Sequence, residues 1–355
     1  MRIGIYDPYL DDLGGGEKYM MTIAEYLAKN NEVTVFWDNK DDLVKLSLRF
    51  SLDFKKVGLE KNIFSQNTKL KQRLVETRKY DIIIVLIDGS IPLVSSKKLF
   101  LHIQQPLTQI RKLTVKDKLK LSRVTQIFYN SLFTKSFNDK IYGKKSRVIY
   151  PPVQILDMKS KKENIITTVG RFRAINIKND DFKKQQVMVD EFKKMVDGGL
   201  KNWKFIVATS TNNQIDTRFL NMLETSKGYP VEFLVNKNNK ELWELYNKAK
   251  IYWHASGVGE DLEKHPEYAE HFGISTVEAM GAGCVPVVYN AGGQKEIVKN
   301  GKNGFLWNSL DELSELTKKL IKNNELWEKI SDSAKVRSKD FSKERFYEAI
   351  ESLLK

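Results

Sequence analysis

The strongest constraint on the fold is a short run, residues 82–87, in which every side chain is apolar. A strand that is apolar on both faces needs cover on both faces, as helices give the central strands of parallel sheets. Short apolar stretches at 2–6 and 32–37 enclose a segment, 17–29, whose apolar residues have helical spacing. The chain is therefore predicted to begin with a strand–helix–strand unit of an α/β protein.

A domain boundary is predicted at two consecutive prolines, Pro151 and Pro152, which are followed by polar residues up to 164. Strand and helix patterns alternate before this point and resume after 165. A chain of 355 residues also suits two domains better than one. We predict two Rossmann-like, doubly wound α/β domains, 1–152 and 153–340, that face an interdomain cleft. A final helix, about 341–355, is expected to pack back onto the first domain.

The charge and the cysteine content limit which binding partners and which cellular compartment we expect. Lys and Arg outnumber Asp and Glu by 59 to 45, a formal net charge of +14 that favours phosphates, anionic lipid or nucleic acid. The single cysteine, Cys284, excludes an internal disulfide and suits a reducing compartment. Since no apolar stretch approaches the roughly 18–20 residues that span a bilayer, we expect a cytoplasmic protein.

The sharpest local pattern is the block EHFGISTVE at 270–278, where Glu270 and Glu278 flank Gly273. Ser275 and Glu278 have the spacing of a capping box, which predicts a helix from about Ser275 to Ala282. A diphosphate is attracted to such a helix start by its free amides and its dipole. A capping glutamate beside an exposed one would explain the spacing equally well. An apolar strand at 284–289 and the pair Gly292-Gly293, able to approach a ligand closely, follow the block.

Four further motifs occur in the chain: GGGEK at 14–18, NSLFTKSF at 130–137, VIYPPV at 148–153 and VGRF at 169–172. Together with the 270–278 block, this series resembles the family 4 glycosyltransferases of the GT-B fold, and within them the lipid-linked-sugar mannosyltransferases. The resemblance implies a retaining, metal-independent transfer of a hexose from a nucleotide diphosphate sugar, with no other cofactor. It implies that Glu270 lies against the transferred sugar and that Glu278 binds the ribose. It also implies a donor site lined by Gly15, Gly16, Phe272, Gly273, Ile274, Ser275 and Thr276.

Three cations and two histidines complete the predicted site. Arg171 follows a strand, and Lys183 and Lys184 precede a helix, so these cations could meet at a diphosphate; the spacing leaves open which lysine does so. His254 ends a strand and is expected to border the sugar pocket. His102 resembles an acceptor-side or sugar-contacting residue, with a packed core histidine as the alternative. The histidines lack the spacing of a zinc motif, so we predict no metal site.

The donor and the partners are less sharply defined. The EHFGI segment favours GDP-mannose, with a UDP-sugar as the other possibility, and the acceptor is expected to be a glycan or a polyprenyl-linked sugar. Basic residues in the N-terminal half predict peripheral binding to an anionic membrane, on its inner face. They are Lys69, Lys71, Arg73, Arg78, Lys79, Arg111, Lys112, Lys116, Lys118, Lys120 and Arg123.

Two other functions stay open at this stage. A sugar-nucleotide epimerase of the same fold would turn over the donor without an acceptor. A basic nucleic-acid-binding protein would account for the charge, but the charge is dispersed and no recognition motif with interleaved aromatic residues accompanies it. We therefore do not expect a nucleic-acid partner.

Overall fold

The first sheet is parallel throughout and has the order β3-β2-β1-β4-β5-β6-β7. Its central strand, β4, is the apolar run of the sequence, and all of its residues are buried because helices cover both faces. The seven strands are β1 (Arg2–Tyr6), β2 (Glu32–Phe36), β3 (Val57–Glu60), β4 (Ile82–Leu86), β5 (Lys98–Ile103), β6 (Gln126–Tyr129) and β7 (Ser146–Val148).

Among the described residues, five helices connect these strands: α1 (Gly15–Leu27), α2 (Lys40–Phe50), α3 (Leu70–Thr77), α4 (Val115–Ser122) and α5 (Leu132–Tyr142). Local chemistry explains the bounds of α5. The Ser131 side chain accepts a hydrogen bond from the Thr134 amide at the start, and Gly143 ends the helix with a φ of 56°. The predicted helix at 17–29 is confirmed as α1, which begins two residues earlier, after Gly14.

The second sheet has six parallel strands in the order β10-β9-β8-β11-β12-β13. They are β8 (Glu163–Arg171), β9 (Lys204–Ser210), β10 (Val231–Val235), β11 (Ala249–His254), β12 (Val285–Tyr289) and β13 (Phe305–Trp307). The helices of this part are α6 (Gln185–Asp197), α7 (Thr217–Thr225), α8 (Asn239–Lys248), α9 (Ile274–Gly281), α10 (Gln294–Ile297), α11 (Leu310–Lys322) and α12 (Asn324–Ser338).

The computed structural model describes residues 1–108, 113–156, 160–172, 181–211 and 217–355. The chain divides into a first unit, Met1–Pro152 with Lys343–Lys355, and a second unit, Val153–Ser342. The last helix, α13 (Lys343–Leu354), belongs to the first unit because Phe346, Ile350 and Leu353 are buried in the same core as α1. In the described part of the chain, no helix is both long and apolar enough to cross a membrane.

Candidate functional site

The helix start at the 270–278 block is made by a glycine rather than by a serine. Gly273 is the N-cap of α9 with a φ of 120°, and Ile274 is the first helical residue. The predicted capping box of Ser275 and Glu278 is therefore wrong. The positive φ of Gly273 turns the chain into the helix before Ser275, whose hydroxyl instead lies 2.8 Å from the Tyr252 hydroxyl. The prediction of a helix start beside the block is correct, and the helix ends at Gly281.

Glu270 is the centre of a polar cluster in the second unit. Its Oε2 atom accepts hydrogen bonds from Lys183 Nζ and, at 2.9 Å, from His254 Nε2. His254 is the last residue of β11, and Ser256 Oγ lies 3.2 Å from the same imidazole nitrogen. The predicted site residues Lys183 and His254 thus both contact the carboxylate of Glu270, the third.

The charges in this cluster decide its protonation. Burial alone would raise the pKa of Glu270, but the Lys183 ammonium and the hydrogen bond from His254 hold that pKa well below its ordinary value of 4.5. Burial lowers the pKa of His254, and the neighbouring Glu270 only partly offsets this effect. At neutral pH, these shifts favour an ionised Glu270 beside a neutral His254.

The glycine pair that follows β12 fixes the backbone of Glu270. The Gly293 amide donates to the Glu270 carbonyl at 2.7 Å. A Cβ atom on Gly292 would lie 2.2 Å from that carbonyl oxygen, and one on Gly293 would lie 2.5 Å from the Cα of Phe272. These glycines are therefore needed for close approach to the protein's own backbone. Their close approach to a ligand stays a prediction.

The two adjacent lysines bind different acids. Lys183 pairs with Glu270, while Lys184 Nζ pairs with Glu260 Oε1 at 2.5 Å. Lys184 has left-handed backbone angles, φ 53° and ψ 40°, at the N-cap of α6. Because the chain turns there, consecutive side chains reach separate points of the segment between β11 and α9. Of the two lysines, Lys183 lies in the Glu270 cluster.

The turn before α6 is stabilised by Asp181. Its carboxylate accepts hydrogen bonds from the amides of Lys183 at 3.0 Å and Gln185 at 2.6 Å. Burial raises the pKa of this carboxyl to about 6, against the effect of those two bonds. Asp181 thereby positions the backbone that carries Lys183.

Arg171 is connected to the cluster through its neighbour in the chain. The Lys183 side chain lies over Gly170, where an added Cβ would be 2.7 Å from Lys183 Cγ, and the Gln185 side chain donates to the Gly170 carbonyl at 3.0 Å. Arg171 follows Gly170 as the last residue of β8, which is the neighbour of β11 in the sheet. Both strands therefore bring their carboxyl ends to the same edge.

Other predicted donor residues lie on α9 or just before it. Glu278 is half-buried on this helix, with the Tyr246 hydroxyl 3.4 Å from its Oε2 atom. Phe272 is buried against Phe341, with ring centroids 5.4 Å apart. Among the described residues, buried polar atoms without a hydrogen-bond partner include His254 Nδ1 and both amide atoms of Gln294. Such atoms are costly to bury, and functional sites are where they are commonly retained.

The remaining predicted residues belong to the first unit. Gly15 opens α1, and Gly16 leaves room for the Gln104 side chain, whose Nε2 atom would lie 2.1 Å from an added Cβ. His102 is fully buried and stacks on Tyr19, with ring centroids 4.1 Å apart. Burial lowers its pKa to about 3. The structure thus has His102 packed in the core, and its contact with a sugar or an acceptor stays a prediction.

Glu260, Asp181 and Gln294 were not among the residues predicted from the sequence. An aspartate four residues before Gln185 is a helix-start signal that could have identified Asp181. Glu260 stands in a polar segment with no periodicity, and no local pattern indicates that it pairs with Lys184. Among the described residues, no group of three or more His, Cys, Asp or Glu side chains could hold a metal ion.

Comparisons with known proteins bear on this geometry. Residues 157–337, which include Glu270, Lys183, His254 and Glu278, match the family described as Glycosyl transferases group 1. The chain belongs to this family. The Glu270 cluster thus lies within the part of the chain that matches the family.

Two curated relatives illustrate the range within the family. One is a GDP-Man:Man(3)GlcNAc(2)-PP-Dol alpha-1,2-mannosyltransferase of Dictyostelium discoideum, 25% identical over 58% of this chain and 41% of the relative. The other, an uncharacterized glycosyltransferase of Haemophilus influenzae, is 25% identical over 99% of both chains. The chain spans less than half the length of the mannosyltransferase that it matches.

Among solved structures, HepE of Anabaena in complex with UDP has a TM-score of 0.77 and 18% identity, over 100% of this chain and 99% of HepE. At this identity the likeness shows the fold alone. It agrees with the two parallel sheets and their flanking helices, and the predicted α/β GT-B fold of two Rossmann-like domains is confirmed.

Proposed function

We propose that this glycosyltransferase family member is a retaining hexosyltransferase that uses a nucleotide diphosphate sugar and needs no metal ion. The observation that carries the proposal is the cluster of Glu270, Lys183 and His254 beside the start of α9. A partly buried carboxylate held ionised next to a cation and a helix start offers both signs of charge within one small region.

Both signs of charge are useful in this reaction. As the bond between the anomeric carbon and the diphosphate breaks, negative charge grows on the diphosphate and positive charge grows on the sugar. In the proposed mechanism, Lys183, Arg171 and the amides at the start of α9 stabilise the leaving diphosphate, as preorganised donors do at developing anions. Glu270 positions the hexose and offsets its positive charge. The acceptor hydroxyl attacks the face that the diphosphate leaves, and its proton passes to a phosphate oxygen of the leaving diphosphate, so the configuration is retained.

GDP-mannose is our favoured donor, with a UDP-sugar as the second choice. The mannosyltransferase relative is named for GDP-mannose as donor and for a dolichol-linked acceptor. Crystal structures of HepE are described with UDP and with UDP-glucose. We accordingly propose a glycan or a polyprenyl-linked sugar as the acceptor.

The donor is tested by a thermal-shift panel of GDP- and UDP-sugars. A ligand at one hundred times its dissociation constant adds about 2.7 kcal/mol of stability, so one donor should raise the melting temperature by several degrees. Glu278→Ala should abolish that shift, and Glu315→Ala, an exposed acid on α11, should keep it. If no nucleotide sugar stabilises the protein, the proposed function is wrong. Turnover of the donor without an acceptor would favour the epimerase instead.

A membrane surface is the partner that we propose for the first unit. Helices α3 and α4 each expose large apolar side chains: Leu70, Val75, Val115 and Leu119. The C-terminal ends of both helices contact the same short segment, because the Ser95 amide donates to Thr77 at 2.9 Å and Arg123 donates to the Ser96 carbonyl at 3.2 Å. Exposed apolar residues among lysines fit the boundary between anionic headgroups and acyl chains.

The basic residues predicted for this surface do not all contribute to it. Arg73 is half-buried and donates to the carbonyls of Ile63, Phe64 and Ser65, so its charge is used inside the unit. Arg111 and Lys112 lie outside the described residues. Lys79 pairs with Glu76, and Arg123 donates to the Ser96 carbonyl. The proposed α3–α4 surface therefore consists of the four apolar residues above with Lys69, Lys71, Arg78, Lys116, Lys118 and Lys120.

Vesicle binding tests the α3–α4 surface. The wild type should sediment with phosphatidylglycerol vesicles and not with phosphatidylcholine vesicles, and added salt should weaken binding. Replacing both Val115 and Leu119 with Asp should reduce binding about tenfold, since apolar area is lost and negative charge is gained. Val336→Asp, at an exposed position of α12, is the control. Equal binding of the double variant and the wild type would contradict the proposal.

A further inference from the structure

Lys184 has backbone angles that are unusual for a residue other than glycine. Its φ of 53° and ψ of 40° place it in the left-handed region at the N-cap of α6, where it makes no side-chain cap. Residues other than glycine rarely have such angles, and those that do are held in them by the surrounding structure. The Lys184 side chain is accordingly well held: it is 9% exposed, and its partner Glu260 is 13% exposed.

The turn makes two adjacent lysines hold one segment at two points. Residues 255–273 connect β11 to the N-cap of α9, and they contain both Glu260 and Glu270. Lys184 binds Glu260 near the beginning of this segment, and Lys183 binds Glu270 near its end. Asp181 fixes the backbone of the turn through the amides of Lys183 and Gln185.

The segment also packs on itself between these two points. Gly257, with a φ of 96°, has no side chain, and an added Cβ there would lie 3.1 Å from Leu262 Cδ1 and 3.6 Å from the Cα of Ala269. The stretch around Glu260 is therefore folded against Ala269, the residue that precedes Glu270. A displacement of Glu260 would be transmitted to Glu270 through these contacts.

We propose that Lys184 and Glu260 are positioning residues: their ion pair holds segment 255–273 so that Glu270 stays with Lys183 and His254. Lys184 acts through Glu260, and Lys183 is the lysine that acts on the diphosphate. The inference rests on the proposed glycosyl transfer for its kinetic test, and a second test is independent of that function.

The kinetic test is a double-mutant cycle of Lys184→Met and Glu260→Gln. Each single variant should lower kcat about tenfold, because a small misplacement of a reacting group is enough to slow catalysis. Each should keep the dissociation constant of the nucleoside diphosphate within about twofold, and the double variant should be no slower than the slower single variant. Exchanging the charges, with Lys184→Glu and Glu260→Lys together, should recover part of kcat. Lys194→Met, on the exposed side of α6, should match the wild type.

Other results would overturn the inference. If Lys184→Met weakens nucleoside diphosphate binding about tenfold while Glu260→Gln binds and reacts like the wild type, Lys184 contacts the phosphate directly. Independent, additive losses in the double variant would also contradict a shared role.

Hydrogen exchange gives the test that does not depend on the proposed function. Peptides covering 255–273 should exchange faster in Lys184→Met and in Glu260→Gln to the same extent, whereas Lys194→Met should be unchanged. Unchanged protection in both variants would contradict the positioning role, whether or not the protein transfers a sugar. A wild type that binds no nucleoside diphosphate but shows the expected exchange would contradict the proposed function alone.

Discussion

Helix α1 of the first unit and helix α9 of the second unit begin in a similar way but differ in the electrostatics of their first turns. Each follows a glycine and has acids close by. In the first unit, Glu17 accepts from the Gly14 amide at 2.5 Å, and the buried Asp7 accepts from the Tyr9 amide at 2.9 Å. Asp7 Oδ2 has no hydrogen-bond partner within the part of the chain that is described. In the second unit, Glu270 lies between Lys183 and His254.

The neighbouring charges decide what each acid can do. Burial raises the pKa of Asp7 well above its ordinary value, and the nearby Glu17 raises it further. Burial acts on Glu270 in the same direction, yet Lys183 and His254 reverse the outcome and lower its pKa. A carboxyl at a glycine-led helix start is therefore not by itself a functional group. A cation and an imidazole beside Glu270, in contrast to a second acid beside Asp7, distinguish the candidate site.

The largest expected effect comes from Glu270. Glu270→Gln keeps the shape of the side chain but removes its charge, so sugar transfer should fall about a thousandfold. Donor turnover, measured as kcat/KM, gives the comparison with Glu315→Gln, an exposed acid that should leave the rate unchanged. If the two variants are equally active, the difference between the two helix starts has no catalytic meaning.

A smaller effect is expected on stability when Lys183 is replaced. Lys183→Met leaves the partly buried Glu270 with His254 alone, which should cost about 2 kcal/mol of the free energy of unfolding at pH 7. The lowered pKa of Glu270 means that its pairing stabilises the fold above the ordinary pKa of 4.5 and loses effect as pH falls. Without Lys183, we expect the effect of burial on the pKa of Glu270 to dominate. The carboxyl is then protonated at a higher pH than in the wild type.

Urea denaturation at two pH values checks this prediction. The deficit of Lys183→Met relative to wild type should shrink between pH 7 and pH 5, roughly the range in which a carboxyl with a raised pKa is protonated. A deficit that stays constant over this range would mean that Lys183 does not govern the charge of Glu270.

The smallest effect, with the opposite sign, is expected at Asp7. Because its pKa is raised in the folded state, protonated Asp7 favours folding below the ordinary value of 3.8, and this advantage is lost as pH rises through the folded pKa. Asp7→Asn should therefore increase the free energy of unfolding by about 1 kcal/mol at pH 8. The gain should be smaller at pH 5. A loss of stability in Asp7→Asn at pH 8 would contradict the raised pKa of Asp7. It would also contradict the electrostatic difference between the two helix starts.

Sequence patterns predicted the elements that have strong periodicity. The apolar run of β4 and the helical spacing of α1 are confirmed. A capping box does start α8, at Asn238 and Glu241. The same signal was wrong at Ser275, because the positive φ of Gly273 starts the helix first. Helices α2, α3 and α4 were not predicted, since polar residues occupy much of their length and tertiary packing has to stabilise them.

The site was predictable in part. Sequence motifs and strand ends identified Glu270, Lys183 and His254 as candidates, and their meeting at one carboxylate is what the structure adds. The choice between Lys183 and Lys184 depends on a left-handed turn, which a lysine pair does not indicate. Glu260 and Asp7 depend on contacts between residues far apart in sequence, so local patterns carry no signal for their partners.

The most direct test of the account is calorimetric titration of GDP and UDP into the wild type, Lys183→Met and Lys194→Met. If the diphosphate binds at the start of α9 beside the Glu270 cluster, the wild type and Lys194→Met bind one nucleotide with the same affinity. Lys183→Met should then bind it about thirtyfold more weakly, as expected when a hydrogen bond from a charged group is lost. Equal affinity of Lys183→Met and the wild type would contradict this placement of the diphosphate.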